Sequence, residues 1–191
     1  MLKPLPLTLM TLLLLSGCTH GTSSHPAHPA PGALQPLLDT MTQRLEIAND
    51  VALSKWYSGK PVQDSERERQ VILNAQAQAA AFKLTPDQVE AFMSAQMEAN
   101  KQVQYARIEQ WRTSGQVPAT PDVTLTTGIR ARLDALQPVL MQHYAAFVPY
   151  RTDSHCLTWV REEIVRRAAE PVIARALQRA TEGLCASGAT T

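Results

Sequence analysis

Residues 93–111 read MSAQMEANKQVQYARIEQW, and the spacing within this stretch decides the fold. Met93, Met97, Asn100, Gln104, Ile108 and Trp111 recur in steps of three and four, which puts them on one stripe of an α-helix. The ends of the stripe are apolar and its middle is polar. The seam it forms with a neighbouring helix is therefore expected to hold a wet or ligand-filled hole at its centre. Upstream, Leu37, Met41, Arg44, Ala48, Val51 and Lys55 climb in the same steps. Arg44 and Lys55 are eleven residues apart, and at about 3.6 residues per turn that step returns a side chain to nearly the same azimuth. Two cations thus share a stripe that is otherwise apolar or small.

The rest of the composition agrees with a helical chain. At 191 residues and 45% hydrophobic content it is long enough for one substantial core and too short for two. Gly and aromatic residues are sparse while Ala, Gln, Glu, Arg and Leu dominate, which favours a single all-α domain. The net charge is +1; removing residues 1–17 takes away Lys3 alone among the charged groups and leaves 17 basic against 17 acidic residues. That balance calls for no nucleic acid and no acidic membrane surface.

Residues 1–17 have the form of an export signal, with Lys3 at its positive end and an apolar run, Leu5 to Leu15, too short for a comfortable membrane span. The run stops at Leu15-Ser16-Gly17-Cys18, which looks like a bacterial lipobox and makes Cys18 a candidate for acylation and a lipid anchor; an ordinary cleaved signal is the alternative. Residues 18–33, rich in His, Pro, Ser, Thr, Gly and Ala, are expected to be a flexible linker. His25 and His28 have no Cys, Asp or Glu beside them to complete a metal site. The chain has three cysteines. If lipid occupies Cys18, Cys156 and Cys185 are left to pair in an oxidising compartment; two free buried thiols are the alternative.

Proline-bearing breaks divide the remainder, residues 34–186, into about six helices, with 187–191 as a tail. The spans expected are Leu34 to Tyr57, Asp64 or Ser65 to Lys83, Thr85 to Arg112, Thr126 to Phe147, Cys156 to Ala169, and a last helix from Pro171 to Leu184. Ser65 with Glu68 has the form of a capping box. Tyr105, Arg107, Trp56, Trp111 and Trp159 read as packing residues. Arg161, Glu162, Glu163, Arg166 and Arg167 read as a solvated helix face.

Helix geometry lets Arg44, Lys55, Asp64, Arg67, Asn100, Gln104 and Arg130 converge on one pocket. Three arginines, a lysine and two amides suit a small dianion that carries an ether or hydroxyl oxygen, and no obvious nucleophile, metal cluster or phosphate loop accompanies them. Each residue also has a plainer reading. Arg44 and Lys55 snorkel from the edge of a packed face, Asn100 and Gln104 satisfy one another, and Asp64 and Arg67 answer the helix dipole.

Arg44-Leu45-Glu46, Lys55-Trp56, Pro61-Val62-Gln63-Asp64-Ser65, Gln96-Met97 with Asn100, and Gln104-Tyr105 with Arg107 and Trp111 together resemble the all-helical chorismate mutases, above all their exported, periplasmic gamma subclass. The resemblance runs from Leu34 to Ala186. It implies an isomerase that needs no cofactor or metal and converts chorismate to prephenate, a step toward Phe and Tyr, with a homodimer as its assembly. It further implies that Arg44, Arg67 and Arg130 grip the two carboxylates with help from Asn100. Lys55 and Gln104 would contact the ether oxygen, and Asp64, through its backbone, and Glu68 would hold the ring hydroxyl. Some exported relatives carry Thr and Glu in place of Asn100 and Gln104, and Gln in place of Val71; the amide of Gln104 implies less dependence on acidic pH. Two rivals stand beside this reading: a non-catalytic envelope lipoprotein, and a degenerate mutase that binds an aromatic precursor without converting it.

Overall fold

The structure is a computed structural model that describes residues 28–119, 123–167 and 170–186. The signal peptide, Cys18, the first part of the linker and the tail lie outside these residues. Among the described residues six α-helices follow in order: α1 Leu34–Ser58, α2 Ser65–Gln76, α3 Pro86–Ser114, α4 Val123–Phe147, α5 Cys156–Arg167 and α6 Pro171–Ala180. Among the described residues there are no strands. Short 3-10 turns at Ala79–Phe82 and Val148–Tyr150 complete the regular structure.

Helix ends follow local chemistry. Helix α1 stops where Gly59 takes a left-handed conformation (φ 68°) that a side chain would strain. Helix α3 starts with a reciprocal capping box, in which the Thr85 hydroxyl accepts from the Gln88 N–H and the Gln88 side chain accepts from the Thr85 N–H. Helix α2 begins at Ser65 as expected, but its cap and its end differ from the reading. Its cap is Asp64 and not Ser65: the Asp64 carboxylate accepts the Arg67 N–H at 3.1 Å, and Glu68 Oε1 reaches back to the Asp64 N–H at 3.3 Å. A carboxylate is the stronger acceptor and suits the positive end of the helix dipole. The helix also stops at Gln76, well before Lys83. Buried Ala79 and Leu84 are brought to the core through a 3-10 turn and a left-handed Lys83, so tertiary packing overrides the helical preference of the alanine-rich run.

Helices α1, α3 and α4 form the centre, with α2 and α6 packed on α3. Leu37, Met41 and Ala48 of one stripe and Met93 of the other are fully covered and Trp111 is buried, so both sequence stripes do face the core. Buried Gln96 donates to the Ala180 carbonyl at 2.8 Å and ties the end of α6 to α3. Cys156 and Cys185 are joined, with their Cα atoms 5.8 Å apart and the two residues 29 positions apart in sequence. The bridge closes the α5–α6 pair, and a loop of that size is worth about 3 to 4 kcal/mol in the chain-entropy account.

Three surface expectations are corrected. Glu163 is buried, not solvated, because Arg166 and Arg167 both pair with it and Arg167 reaches on to Asp39 at 3.0 Å. Tyr105 is 53% exposed and is no packing residue. From His28 onward the expected linker is held: His28 stacks on His155 with ring centroids 4.4 Å apart, and its carbonyl accepts the Trp159 indole N–H at 2.7 Å.

Candidate active site

Between α1, α2, α3 and α4 lies a cavity of about 380 Å³, a size suited to a small organic ligand. Helix α1 contributes Arg44, Val51 and Lys55 to its wall, and α2 contributes Asp64 at its cap, Arg67 and Glu68. Helix α3 supplies Met97, Asn100, Lys101 and Gln104, and α4 supplies Ile129, Arg130, Asp134 and Gln137. All eight residues singled out from sequence therefore meet in one space. The start of the α1 stripe packs as core while Arg44, Val51 and Lys55 face this hole, and the polar middle of the α3 stripe, Asn100 and Gln104, faces it from the other side.

Burial divides the cations. Arg44 is 6% exposed and sits at the floor, whereas Arg67 and Arg130 are exposed at the mouth. Desolvation pulls the Arg44 guanidinium down to about 10, only partly offset by the charge of Asp134. Among the described residues no carboxylate lies within ion-pair distance of Arg44, and its Nε has no hydrogen-bond partner. Lys55 is half-buried. Its Nζ donates to the Val62 carbonyl at 2.7 Å, which pins the loop after α1. Burial lowers its pKa, Asp64 and Glu68 oppose that change, and the neighbouring charge of Lys101 adds to it.

The amides form a short chain. Gln104 Nε2 donates to Asn100 Oδ1 at 2.7 Å, and Asn100 Nδ2 donates to the Arg44 carbonyl at 3.4 Å. Among the described residues the side-chain oxygen of Gln104, Oε1, is buried without a partner. A buried polar atom left unpaired costs about 1–3 kcal/mol, and two such atoms in residues lining one cavity mark a site shaped for something other than its own stability. Six cationic residues, Lys60 included, face three acidic ones across the cavity, so its field favours an anion.

Lys60, Lys101, Asp134 and Gln137 belong to the wall and were not singled out from sequence. Lys101 directly follows Asn100 and so falls off the stripe; only the approach of α2 brings it inward. Asp134 lies one turn beyond Arg130, a spacing that pointed to it, but an i, i+4 pair on an exposed helix reads first as surface chemistry.

The profile of the chorismate mutase type II family matches residues 35–105. A secreted chorismate mutase of Mycolicibacterium smegmatis is 29% identical over 158 residues, which span 80% of this chain and 86% of that protein. The crystal structure of a chorismate mutase from Burkholderia thailandensis superposes with a TM-score of 0.76 at 29% identity, covering 81% of this chain and all of that one. A chorismate mutase from Burkholderia phymatum gives the same TM-score of 0.76 at 39% identity, over 81% of this chain and 97% of its own. With cavity, fold and sequence agreeing along the length of the domain, the chain belongs to the chorismate mutase type II family.

Proposed function

We propose that this chorismate mutase works in the cavity between α1 and α3, where Lys55 and Gln104 hold the ether oxygen of chorismate while Arg44, Arg67 and Arg130 hold its two carboxylates. Asn100 assists the carboxylate grip, and the Asp64 main chain with Glu68 takes the ring hydroxyl. The observation that carries the reading is the meeting of Lys55 and Gln104, from different helices, in one cavity with a buried arginine whose Nε is unpaired.

The rearrangement breaks the ether C–O bond as a C–C bond forms, and it moves no proton and forms no covalent enzyme intermediate. An enzyme need only fold the substrate into a reactive chair and favour the charge that gathers on the departing oxygen. A rate gain of ~10⁶ corresponds to about 8 kcal/mol. One preorganised donor in a water-poor site contributes about 3 to 4 kcal/mol. Lys55 and Gln104, with the arginines fixing the chair, cover that range. The test is direct: purified protein is added to chorismate and loss of its absorbance is followed with formation of prephenate. Absence of turnover rejects the reading in favour of a binding protein.

A pH dependence follows from the burial of Lys55 and Arg44. The active form carries both charges, and both groups titrate below their ordinary values. The alkaline fall in kcat/KM, which reports the free enzyme, is therefore expected below the 10.5 of an ordinary lysine. A bound dianion raises both groups, so the fall in kcat lies at higher pH. A kcat/KM profile flat up to the ordinary lysine value contradicts the assignment.

The same reading places the enzyme in the bacterial cell envelope. Residues 1–17 export it and an acylated Cys18 holds it to the membrane; the secreted character named for the M. smegmatis relative supports the export step. Labelling with a fatty acid that is lost in Cys18→Ser checks the anchor. Self-association is part of this reading and is checked by light scattering.

A further inference from the structure

Lys101 is the cavity cation most fully engaged by the protein itself. It is 8% exposed, and its Nζ meets Glu98 at 2.7 Å, Glu68 Oε2 at 2.9 Å and Gln63 Oε1 at 3.1 Å. An ammonium has three N–H donors, so these acceptors use all of them. Two of the three lie across the seam, since Gln63 precedes α2 and Glu68 stands near its start. The other oxygen of Glu68 accepts the Asp64 N–H at 3.3 Å. A continuous chain therefore runs from α3 through Lys101 and Glu68 to the backbone that caps α2. Burying an ammonium is costly even when it is paired, and an apolar side chain here would serve packing as well or better.

We propose that Lys101 is a positioning residue: it fixes Glu68, and through Glu68 the Asp64 main chain, at the edge of the cavity where the ring hydroxyl is held, and it stations a permanent charge beside Lys55. The inference rests on the chorismate reading for its substrate. The charged groups that share the cavity with Lys55 are Lys60, then Asp64, Arg67 and Glu68 from α2, Lys101 from α3, and Arg44, Arg130 and Asp134 from α1 and α4. Of these, Asp64 and Glu68 raise its pKa and Lys101 lowers it, after the larger effect of burial. Lys101 itself is pulled down by burial, but its bonds and charges with Glu98 and Glu68 outweigh this and raise it, so it stays charged while Lys55 titrates.

The test combines a titration with kinetics on the full-length protein. The chain has lysines only at 3, 55, 60, 83 and 101, so side-chain NMR of lysine-labelled protein resolves Lys55. In Lys101→Met the Lys55 pKa moves up, because a repelling charge is gone and Glu68 is freed toward it. KM for chorismate rises by about tenfold with kcat within about threefold, the pattern of a contact made alike in ground state and transition state. Lys101→Gln keeps a donor for Glu68 and is expected to give the same upward shift, which keeps the test decisive if the Met variant does not fold. Lys101→Arg retains the charge and leaves Lys55 in place. A purely structural Lys101 lowers the melting temperature without moving Lys55. An active wild type with Lys55 unmoved in the neutral variants overturns the role of Lys101 alone. A wild type that does not turn over chorismate rejects the substrate reading, while the Lys55 titration still reports whether the charge acts there.

Discussion

Lys55→Met is expected to lower kcat for chorismate by about 10²- to 10³-fold, the loss associated with one preorganised donor at a developing negative charge. KM changes much less, because the contact strengthens only as the C–O bond breaks and the oxygen gains charge. The distinction matters here, since the same Nζ also donates to the Val62 carbonyl and anchors the loop that follows α1. If loop anchoring were its main task, the variant would bind chorismate poorly and KM would rise together with the fall in kcat. Steady-state kinetics with a thermal melt of both proteins separates the two. A variant that keeps full kcat removes Lys55 from the mechanism.

Arg44→Met is expected to show opposite signs in stability and activity. The guanidinium is buried, its pKa is pulled down to about 10 by desolvation, and its Nε has no partner. Replacing a poorly compensated buried charge with an apolar side chain of similar volume is often neutral or stabilising. The melting temperature is therefore expected to stay level or rise, by up to about 4 °C for each kcal/mol gained. Meanwhile kcat/KM falls by about 10²- to 10³-fold, because a desolvated charge pair with the substrate is lost. Such a pattern is the mark of a residue kept for function at the expense of stability. A lower melting temperature with activity retained would instead make Arg44 a structural residue that snorkels from the helix edge.

Much of this was legible because helical periodicity is a local property. The stripes through Arg44 and Lys55 and through Asn100 and Gln104 each need only the helix turn to be read, and the polar middle of the second implies the cavity. The start of the third span at Thr85 and the end of the first near Tyr57 were equally plain, since each rests on a backbone preference of one or two residues. What escaped depends on residues far apart in sequence. Glu163 reads as one charge among many until α5 folds back and Arg167 bridges it to Asp39 on α1. Lys101 has no signal in its own stretch of sequence, because it joins the cavity only where α2 lays Gln63 and Glu68 over it. The early end of α2 was hidden because Ala79 and Leu84 are claimed by a core that the local sequence does not specify. The shift of the cap from Ser65 to Asp64 is a contest between two good capping residues, decided by which one the loop after α1 delivers to the helix end.

The central claim is that fixed charges rearrange chorismate with no proton in flight. The rate of prephenate formation at saturating chorismate, compared in H₂O and D₂O at matched ionisation, bears on it most directly. Prompt formation of prephenate at equal rates in the two solvents is the predicted result. A slowing of about twofold or more in D₂O would show a proton moving in the rate-limiting step, and that result, or no prephenate at all, would contradict the account.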